Sequence, residues 1–443
     1  MSNWQLSDLT VWDDRICNIA KENNLDWFNI VYETCDYYEM IGNMSYHGLP
    51  THYSHWSHGK AFEVTHQLYN LGMEGLPYEL IINSDPSIAY LMKENPLYLQ
   101  VLIMAHCVGH SDFFKNNRMF KATRPNTVLG RFRNAKKRIQ NYIEDPSIGI
   151  ELVEEIIDAA KAFQFQMPRR PILFQDLEEK RQRQIENIKK RIKKKDKRTF
   201  NNTEHLNLHR IPIEPEYDVL GFAIQYSSLD NWAKDILEII RDEGQYFIPQ
   251  MQTKIMNEGW ACFWHFKILE MLELPQSIHI PFLKMHNQVV RPHIGRINPY
   301  HVGFHMFNKI EERYGLDECF LARDVHHDIS FLRQYLTMED CQELGLFSFS
   351  KQKEGIFVDE VSDDDGWKVV KDNLINQVAM NNMPVICIES LTSDGTLILS
   401  HDHDGRDLKL DEAEKVVHHM ETIWAKPVKM LTIIEDEPFE ISK

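Results

Sequence analysis

The sequence predicts a mainly helical protein in which a small α+β domain follows a large helical domain. Through most of the first 340 residues, apolar side chains recur at the three- and four-residue spacing of amphipathic helices. Near Leu346 this pattern changes to short alternating runs that are typical of strands. Hydrophobic residues make up 43% of the chain and aromatic residues 11%, which supports a full core and excludes a disordered or fibrous chain. We therefore expect domains at residues 1–340 and 341–443.

The helical domain is predicted from apolar periodicity and from the proline-containing dipeptides that precede several helices. Proline is tolerated in the first turn of a helix, so Asp85-Pro86 and Asn95-Pro96 each favour a helix start. The predicted helices cover residues 6–36, 52–71, a segment opening at Asp85-Pro86, 96–114, 151–165, 230–274, 298–315 and 317–336.

Residues 178–198 differ in charge from the rest of the chain. The segment holds eleven Lys or Arg and four Asp or Glu, so its net charge is +7, which leaves the remainder of the chain at -24. Ile185, Ile188 and Ile192 form one thin apolar stripe at helical spacing. We expect a basic surface helix or linker that faces water or an acidic surface.

The C-terminal domain is predicted from short strands, a turn and two helices. Strands are expected at residues 346–349 and 355–358, followed by a helix at 367–380. Residues 384–388 and 396–400 form a hairpin pattern around Ser393-Asp394-Gly395, which is a strong turn signal. A helix at residues 411–424 and a strand at 428–434 complete the domain.

The composition narrows the classes of function. A net charge of -17 argues against a general nucleic-acid binder, since such proteins neutralise phosphates with Lys and Arg. No apolar stretch is long enough to span a bilayer, and the N-terminus lacks the basic and apolar regions of a signal peptide. The seven cysteines are scattered, which is typical of reduced thiols. We expect a cytoplasmic protein.

Two histidines on one predicted helix are the first candidate metal ligands. His106 and His110 are separated by four positions, so both imidazoles lie on one helix face and can reach a single ion. In zinc peptidases a glutamate follows the first histidine and activates water. Here that position holds Cys107, so the usual base is absent.

A second helix supplies a candidate carboxylate. Residues 257–261, Asn-Glu-Gly-Trp-Ala, resemble the Asn-Glu-Gly-x-Ala element of gluzincin metallopeptidases, in which the glutamate is the third zinc ligand. Glu258 and His265 share one face of an otherwise apolar helix, where unpaired burial would be costly. A metal ion, or an Arg or Lys partner, would offset that cost. The gluzincin-like arrangement is predicted although about 150 residues separate the two elements.

A third group of histidines lies at a predicted helix start. His52, His55 and His58 precede Glu63, which is two turns beyond His55 on the same side. The simpler interpretation is a cluster at a helix start that lies half in water; alternatively, this group could complete a coordination sphere or supply a general acid or base. The sequence contains no P-loop, no dinucleotide-type glycine pattern and no nucleophile elbow, which disfavours ATP use and serine-hydrolase chemistry.

Several long runs carry a resemblance to a known family. They cover most of the chain in order, and the run at 249–261 is the most distinctive. These runs are residues 78–86, 104–117, 249–261, 298–300, 310–313 and 330–337. The chain resembles the stage V sporulation protein R (SpoVR) family.

The resemblance implies a role in spore cortex formation, or in stationary-phase and stress physiology where the bacterium makes no spores. It further implies, as partners, a PrkA-type serine kinase and a protein with a von Willebrand-type domain. It supplies no biochemical activity, and the basic segment 178–198 is not part of the family pattern.

Two functions follow from these residues. In the first, the protein is a metal-dependent hydrolase of an amide bond, in which His106, His110 and Glu258 bind a divalent metal, with zinc favoured. His265 would be a fourth ligand or would support one, and Glu63 or Asp112 would activate water. In the second, the protein is a non-catalytic regulator that works with the kinase, and the metal site is structural. Cys107 favours the second function, whereas histidines beyond a closed ligand set would favour the first.

Overall fold

Helices dominate the structure, a computed structural model that describes residues 4–46, 52–70, 79–169, 179–180, 182–186, 211–293, 296–352 and 355–442. This confirms the predicted mainly helical class. The α-helices are α1 Leu6–Glu22, α2 Tyr37–Ser45, α3 Trp56–Asn70, α4 Leu97–Asn116, α5 Val128–Glu144, α6 Gly149–Ala162, α7 Val219–Tyr226, α8 Asn231–Gln252, α9 Lys254–Met271, α10 Gln276–Val289, α11 Pro299–Tyr314, α12 Leu316–Val325, α13 Asp328–Tyr335, α14 Met338–Glu343, α15 Trp367–Gln377 and α16 Leu410–Trp424.

The strands form three small sheets. The first has the order β1-β3-β2, the second is the hairpin β4-β5, and the third has the order β6-β7-β8-β9. Their bounds are β1 Ile30–Cys35, β2 Leu80–Ile82, β3 Ser87–Met92, β4 Phe347–Gln352, β5 Gly355–Val361, β6 Ile386–Leu391, β7 Leu397–His401, β8 Val428–Ile434 and β9 Glu437–Ser442.

The chain divides into two compact units, each built from two separate stretches of sequence. Unit 1 contains residues 1–137 and 249–382, and unit 2 contains residues 138–248 and 383–443. This division differs from the expected boundary at residue 340, because residues 341–382 group with the helical body. The reason is that Leu374, Ile375 and Val378 of the α15 region belong to the same apolar core as α4 and α9.

The first sheet of unit 1 corrects two predicted helices. The helix expected over residues 6–36 ends at Glu22, and residues 30–35 form β1 instead. The helix expected to open at Asp85-Pro86 is wrong, since β3 follows that dipeptide and pairs in parallel with β1 and antiparallel with β2. A run of six mostly apolar residues fits a helix and a strand equally well, so pairing with neighbouring strands decides its structure.

The core of unit 1 surrounds α4 and α9. Every residue from Leu99 to Phe114 of α4 is buried, as expected for a helix that packs on all sides. Close helix contacts depend on small residues. Where α4 meets α9, a Cβ atom on Gly109 would lie only 2.7 Å from the Cα atom of Ala261. The helices α9 and α11 meet at Gly259 and Gly303. The backbones of these helices therefore approach closely, which brings their polar side chains within reach of one another.

Unit 2 combines helices with the four-stranded sheet. The predicted hairpin is confirmed as the antiparallel pair β6-β7, and β8 joins β7 in parallel. The strand β9, which the sequence analysis did not predict, closes the sheet against β8. Buried residues of α16 such as Val417 and Met420 form the apolar face of that helix.

The basic segment 178–198 falls mostly outside the described residues. Residues 179–180 and 182–186 are described and helical, and within unit 2 Lys180 forms an ion pair with Glu216 at 2.6 Å. Across the part of the chain that the structure describes, every helix is too short or too polar to cross a bilayer.

Candidate metal centre

Four side chains from three parts of unit 1 meet at one point. Glu79 lies directly before β2, His106 and His110 lie on α4, and Glu258 lies on α9. One ligand atom from each lies within 4.8 Å of the others. We call these residues the four-donor cluster. The structure thus brings together His106, His110 and Glu258 as the sequence analysis expected, and adds Glu79.

The distances within the four-donor cluster are those of groups that face a shared centre. The Nε2 atom of His110 lies 3.4 Å from Oε2 of Glu258, and Nε2 of His106 lies 3.9 Å from the same oxygen. The Nε2 atom of His106 is also 3.6 Å from Oε1 of Glu79. All three separations exceed the usual length of an N–H···O hydrogen bond, which is about 2.7–3.2 Å.

Two buried atoms of the four-donor cluster lack a hydrogen bond among the described residues. They are Nε2 of His106 and Oε2 of Glu258. The His106 side chain is only 2% exposed and that of Glu258 17%. Leaving a buried polar atom without a partner costs about 1–3 kcal/mol. A bound cation would offset this cost, and two imidazoles with carboxylates are a typical donor set for zinc.

Asn257 holds the His110 ring in position. The Nδ1–H of His110 donates a hydrogen bond to Oδ1 of Asn257 at 2.9 Å, so Nε2 is left facing Glu258. Burial lowers the pKa of His110, but contact with Glu258 and Asn257 outweighs burial and raises it. Burial raises the pKa of Glu258, yet the neighbouring His106 and His110 outweigh that effect and lower it. These opposite shifts arise because His110 and Glu258 each stabilise the charged form of the other.

A chain of imidazoles lies behind His106. The Nδ1 atom of His106 is 2.8 Å from Nδ1 of His265, and Nε2 of His265 is 2.8 Å from Nδ1 of His286 on α10. If Nε2 of His106 is a ligand, its Nδ1–H donates to His265, which in turn donates to His286. His265 therefore contacts His106 and is not one of the residues of the four-donor cluster.

Burial keeps His265 and His286 neutral. Desolvation, followed by the neighbouring histidines, lowers the pKa of His265 well below its usual value. Desolvation and His106 lower the pKa of His286 to about 4. His106 and His265 also lie with Cys262 in a second group of donor atoms within 4.8 Å. Burial raises the pKa of the Cys262 thiol well above its usual value, so this thiol remains protonated.

The two carboxylates expected to activate water lie elsewhere. Asp112 is fully buried, and its oxygens accept hydrogen bonds from the Asp26 backbone N–H, Trp260 Nε1 and Arg323 at 2.5–2.8 Å. Both oxygens are thus engaged: Oδ2 joins α4 to α9 and α12, and Oδ1 binds the backbone of the segment between α1 and β1. Glu63 is exposed on α3 and accepts a hydrogen bond from Gln67.

The third group of histidines forms a separate feature. His52, His55 and His58 are buried at the start of α3, and Nδ1 of His58 lies 3.1 Å from the carbonyl oxygen of Ser45. Within the described ranges these residues do not join a group of three donors that lie within 4.8 Å of one another. The structure does not bring them into the four-donor cluster.

A cavity of about 550 Å³ opens beside the four-donor cluster. Glu79, His106 and Glu258 line it, together with Tyr300 from the first turn of α11. The ring of Tyr300 stacks at 6.2 Å from that of His106. Burial, and then the charges of Glu258 and Glu79, raise the pKa of Tyr300 well above its usual value, so the phenol stays protonated.

Sequence reasoning missed Glu79, Tyr300 and His286. Glu79 falls in one of the runs that resembles a known family, but a single glutamate before a strand carries no ligand spacing. Tyr300 follows the Asn298-Pro299 helix start, which predicts the element without predicting what its first turn faces.

Comparison with known proteins agrees with the resemblance seen in the sequence. The family described as "SpoVR like protein" matches residues 3–383. The chain is 31% identical to the uncharacterized protein YcgB of Escherichia coli (strain K12), over an alignment of 490 positions that covers 99% of this chain and 94% of that protein. No solved structure matches significantly. The chain therefore belongs to the SpoVR family.

Proposed function

We propose that this protein is a metal-dependent hydrolase that cleaves an amide bond in a peptide or a peptidoglycan-like substrate. The observation that carries the proposal is that three residues of the four-donor cluster, Glu79, His106 and Glu258, line an open cavity of about 550 Å³. Structural zinc sites are closed by four protein ligands, whereas catalytic sites keep a position open to water and substrate. A cavity of this volume lies within the range of small-molecule sites.

The donor set supports a divalent metal, for which we favour zinc. His106, His110 and Glu258 would hold the ion, and the hydrogen bonds to His265 and Asn257 would fix the two rings with Nε2 facing it. When bound, such an ion polarises a carbonyl group and lowers the pKa of water.

Glu79 is the carboxylate that we propose as general base, in place of Glu63 and Asp112. It lies at the cavity and comes from a different element than the three ligands. In amide hydrolysis the water oxygen bonds to the carbonyl carbon, and the C–N bond then breaks. Glu79 would accept the water proton and pass it to the leaving nitrogen. The protonated Tyr300 would donate a hydrogen bond to the oxyanion that develops on the carbonyl oxygen.

The first test measures the metal content of protein purified without a His-tag. We expect close to one zinc per chain, and a loss of about 100-fold in affinity in His106→Gln and Glu258→Gln, since each removes a ligand. His418→Gln is the matched control, because His418 is exposed on α16 and far along the chain from the four-donor cluster. Wild-type protein that takes up no zinc would overturn the metal proposal.

Glu79→Gln separates a catalytic site from a structural one. If Glu79 is a base, this variant keeps its zinc and still binds acetohydroxamate, a small chelator that needs an open position on the ion. If Glu79 is a fourth ligand, zinc affinity falls as in His106→Gln, and wild-type protein does not bind acetohydroxamate. The second result would favour a closed structural site.

One observation favours a second function. Cys107 occupies the position of the catalytic glutamate of zinc peptidases, and burial raises the pKa of its thiol well above the usual value, so it cannot act as a base. A closed site would then stabilise a regulatory protein that acts with a serine kinase. The Glu79→Gln result decides between the two functions.

A further inference from the structure

The mouth of the cavity beside the four-donor cluster is basic. Lys254, the first residue of α9, and Arg296, which precedes α11, both line the cavity and are exposed. His293 lines it too and pairs with Arg296 through an isolated β-bridge. The lining residues include no acidic side chain other than Glu79 and Glu258 of the four-donor cluster.

Lys254 and Arg296 are available for a ligand. Neither forms an ion pair within 4.0 Å with any residue that the structure describes, although the charge of Lys254 is close enough to the buried Asp328 to lower the pKa of that carboxyl group, against the larger effect of burial. His293 is held largely neutral, because burial and then the charges of Arg296 and Arg291 lower its pKa. The neutral imidazole can still donate or accept a hydrogen bond beside the two cations.

The net charge of the cavity, counting its lining side chains and a bound divalent ion, is positive. The two charges of the ion cancel the two carboxylates, Glu79 and Glu258. Lys254 and Arg296 then leave about two positive charges at the mouth. The whole chain carries -17, so this local reversal of sign is not a general property of its surface. A cleft of one sign attracts ligands of the opposite sign and raises their rate of association.

We propose that the substrate carries an anionic group, a carboxylate or a phosphate, which binds Lys254 and Arg296 at the cavity mouth while the scissile amide lies at the four-donor cluster. The inference rests on the proposed function and adds the substrate class to it. Arginine binds both oxyanions through two parallel hydrogen bonds, and lysine adds a point charge. Glu258 stands one turn along α9 from Lys254, so the anion and the amide would be recognised from the same helix.

The test compares hydroxamates that share one chelating group and differ in charge. Succinic acid monohydroxamate carries a carboxylate, its primary amide is neutral, and 3-phosphonopropionic hydroxamate carries a phosphonate in place of the carboxylate. Calorimetry on the zinc-loaded full chain measures each affinity. We expect an anionic probe to bind about tenfold more tightly than the neutral amide, with a preference that falls as salt rises. The tighter of the two anionic probes identifies the oxyanion.

Variants assign the preference to the two cations. In the double variant Lys254→Ala/Arg296→Ala we expect the anionic and neutral probes to bind equally, while zinc content and affinity for the neutral amide remain as in the wild type. Lys284→Ala is the control, since Lys284 is an exposed lysine of α10 that does not line the cavity.

The outcomes separate this inference from the proposed function. Equal binding of charged and neutral probes to wild-type protein would overturn the anionic substrate and leave the open metal site intact. Loss of zinc or of neutral-probe binding in the double variant would contradict the role given to the two cations. If no hydroxamate binds the zinc-loaded protein, the site is closed, and the proposed function and this inference both fail.

Discussion

Each residue of the run 257–261 has its own contact in the structure. Asn257 orients an imidazole of α4, and Glu258 faces the four-donor cluster. Gly259 lets α11 approach, Trp260 donates to the buried carboxylate of Asp112, and Ala261 lies against a glycine of α4. Three residues of the run therefore set the packing of α9, and two face the site. The site geometry depends on helix packing as much as on its ligands.

Gly109 provides a direct test of that dependence. A Cβ atom at this position would lie 2.7 Å from the Cα atom of Ala261, so Gly109→Ala must move α4 away from α9. We expect overpacking to lower the free energy of unfolding by about 1–3 kcal/mol. Zinc affinity should fall by about tenfold or more, because His110 and Glu258 lie on the two separated helices. Thermal unfolding and chelator competition measure these effects.

Gly130→Ala is the control for that prediction. Gly130 is an exposed residue of α5, and no atom lies within 4 Å of the added Cβ. Alanine is favoured over glycine in a helix by about 1 kcal/mol, so this variant should be neutral or slightly more stable. A Gly109→Ala protein that keeps wild-type stability and zinc affinity would show that the approach of the two helices does not determine the site.

The candidate site could be predicted from sequence where ligands share an element or belong to a recognisable run. The one-turn spacing of His106 and His110 predicted that these two share a site, and the resemblance of the run around Glu258 to a metallopeptidase element added the third residue. Glu79 reaches the site through the packing of β2, and Tyr300 through the packing of α11. Contacts between segments far apart in the sequence bring Glu79 and Tyr300 to the site, and the local spacing of residues does not predict such contacts.

At the scale of single elements, a buried carboxylate holds the helix α14 in position. Asp340 is fully buried and accepts hydrogen bonds from Arg313 at 2.8 Å and from the Thr337 backbone N–H at 2.9 Å. Burial raises the pKa of Asp340, but His305 and Arg313 outweigh burial and lower it. The ionised carboxylate therefore joins the first turn of α14 to α11.

We expect Asp340→Asn to reduce stability in a pH-dependent way. The folded protein holds the pKa below the unfolded value of 3.8, so the contribution is complete above that value and is lost as pH falls through the folded value. Because Arg313 is 21% exposed, the loss near pH 7 should be about 2 kcal/mol rather than the 3–5 kcal/mol of a fully buried pair. Melting temperatures of both proteins from pH 7 to pH 3 measure it. A difference that grows as pH falls would contradict this assignment.

Helices and strands could be predicted where the apolar periodicity extends over many residues and where a proline or a turn marks its ends. The helix α4 follows Asn95-Pro96 and runs for 20 residues, close to the predicted 96–114. The strands β1 and β3 were missed because each has six residues and pairs with a strand more than 50 residues away. A short apolar run does not indicate which distant strand it pairs with. The strands β6 and β7 were predicted because a recognisable turn joins them.

At the scale of the whole molecule, the course of the chain determines which segments depend on each other. Both units are assembled from two stretches, and the second stretch of unit 2 begins at Met383. The family match ends at the same residue. The change to strand periodicity near Leu346 therefore marks a change of local structure within unit 1, and the boundary between units falls some 36 residues later.

Two core truncations test this division. Leu374 of α15 is 5% exposed and belongs to the apolar core that contains α4 and α9, whereas Ile388 of β6 is fully buried in unit 2. Leu→Ala and Ile→Ala substitutions in a core cost about 2–5 kcal/mol each. Because local unfolding follows cooperative units, we expect Leu374→Ala to speed amide hydrogen exchange in α4 and α9 and to leave exchange in β6–β8 unchanged. We expect Ile388→Ala to speed exchange in β6–β8 and to leave exchange in α4 and α9 unchanged. With a boundary at residue 340, both variants would instead speed exchange in the same C-terminal segments. Exchange measured by mass spectrometry on the full-length chain distinguishes the two patterns, because peptides from α4, α9 and β6–β8 are separate in sequence.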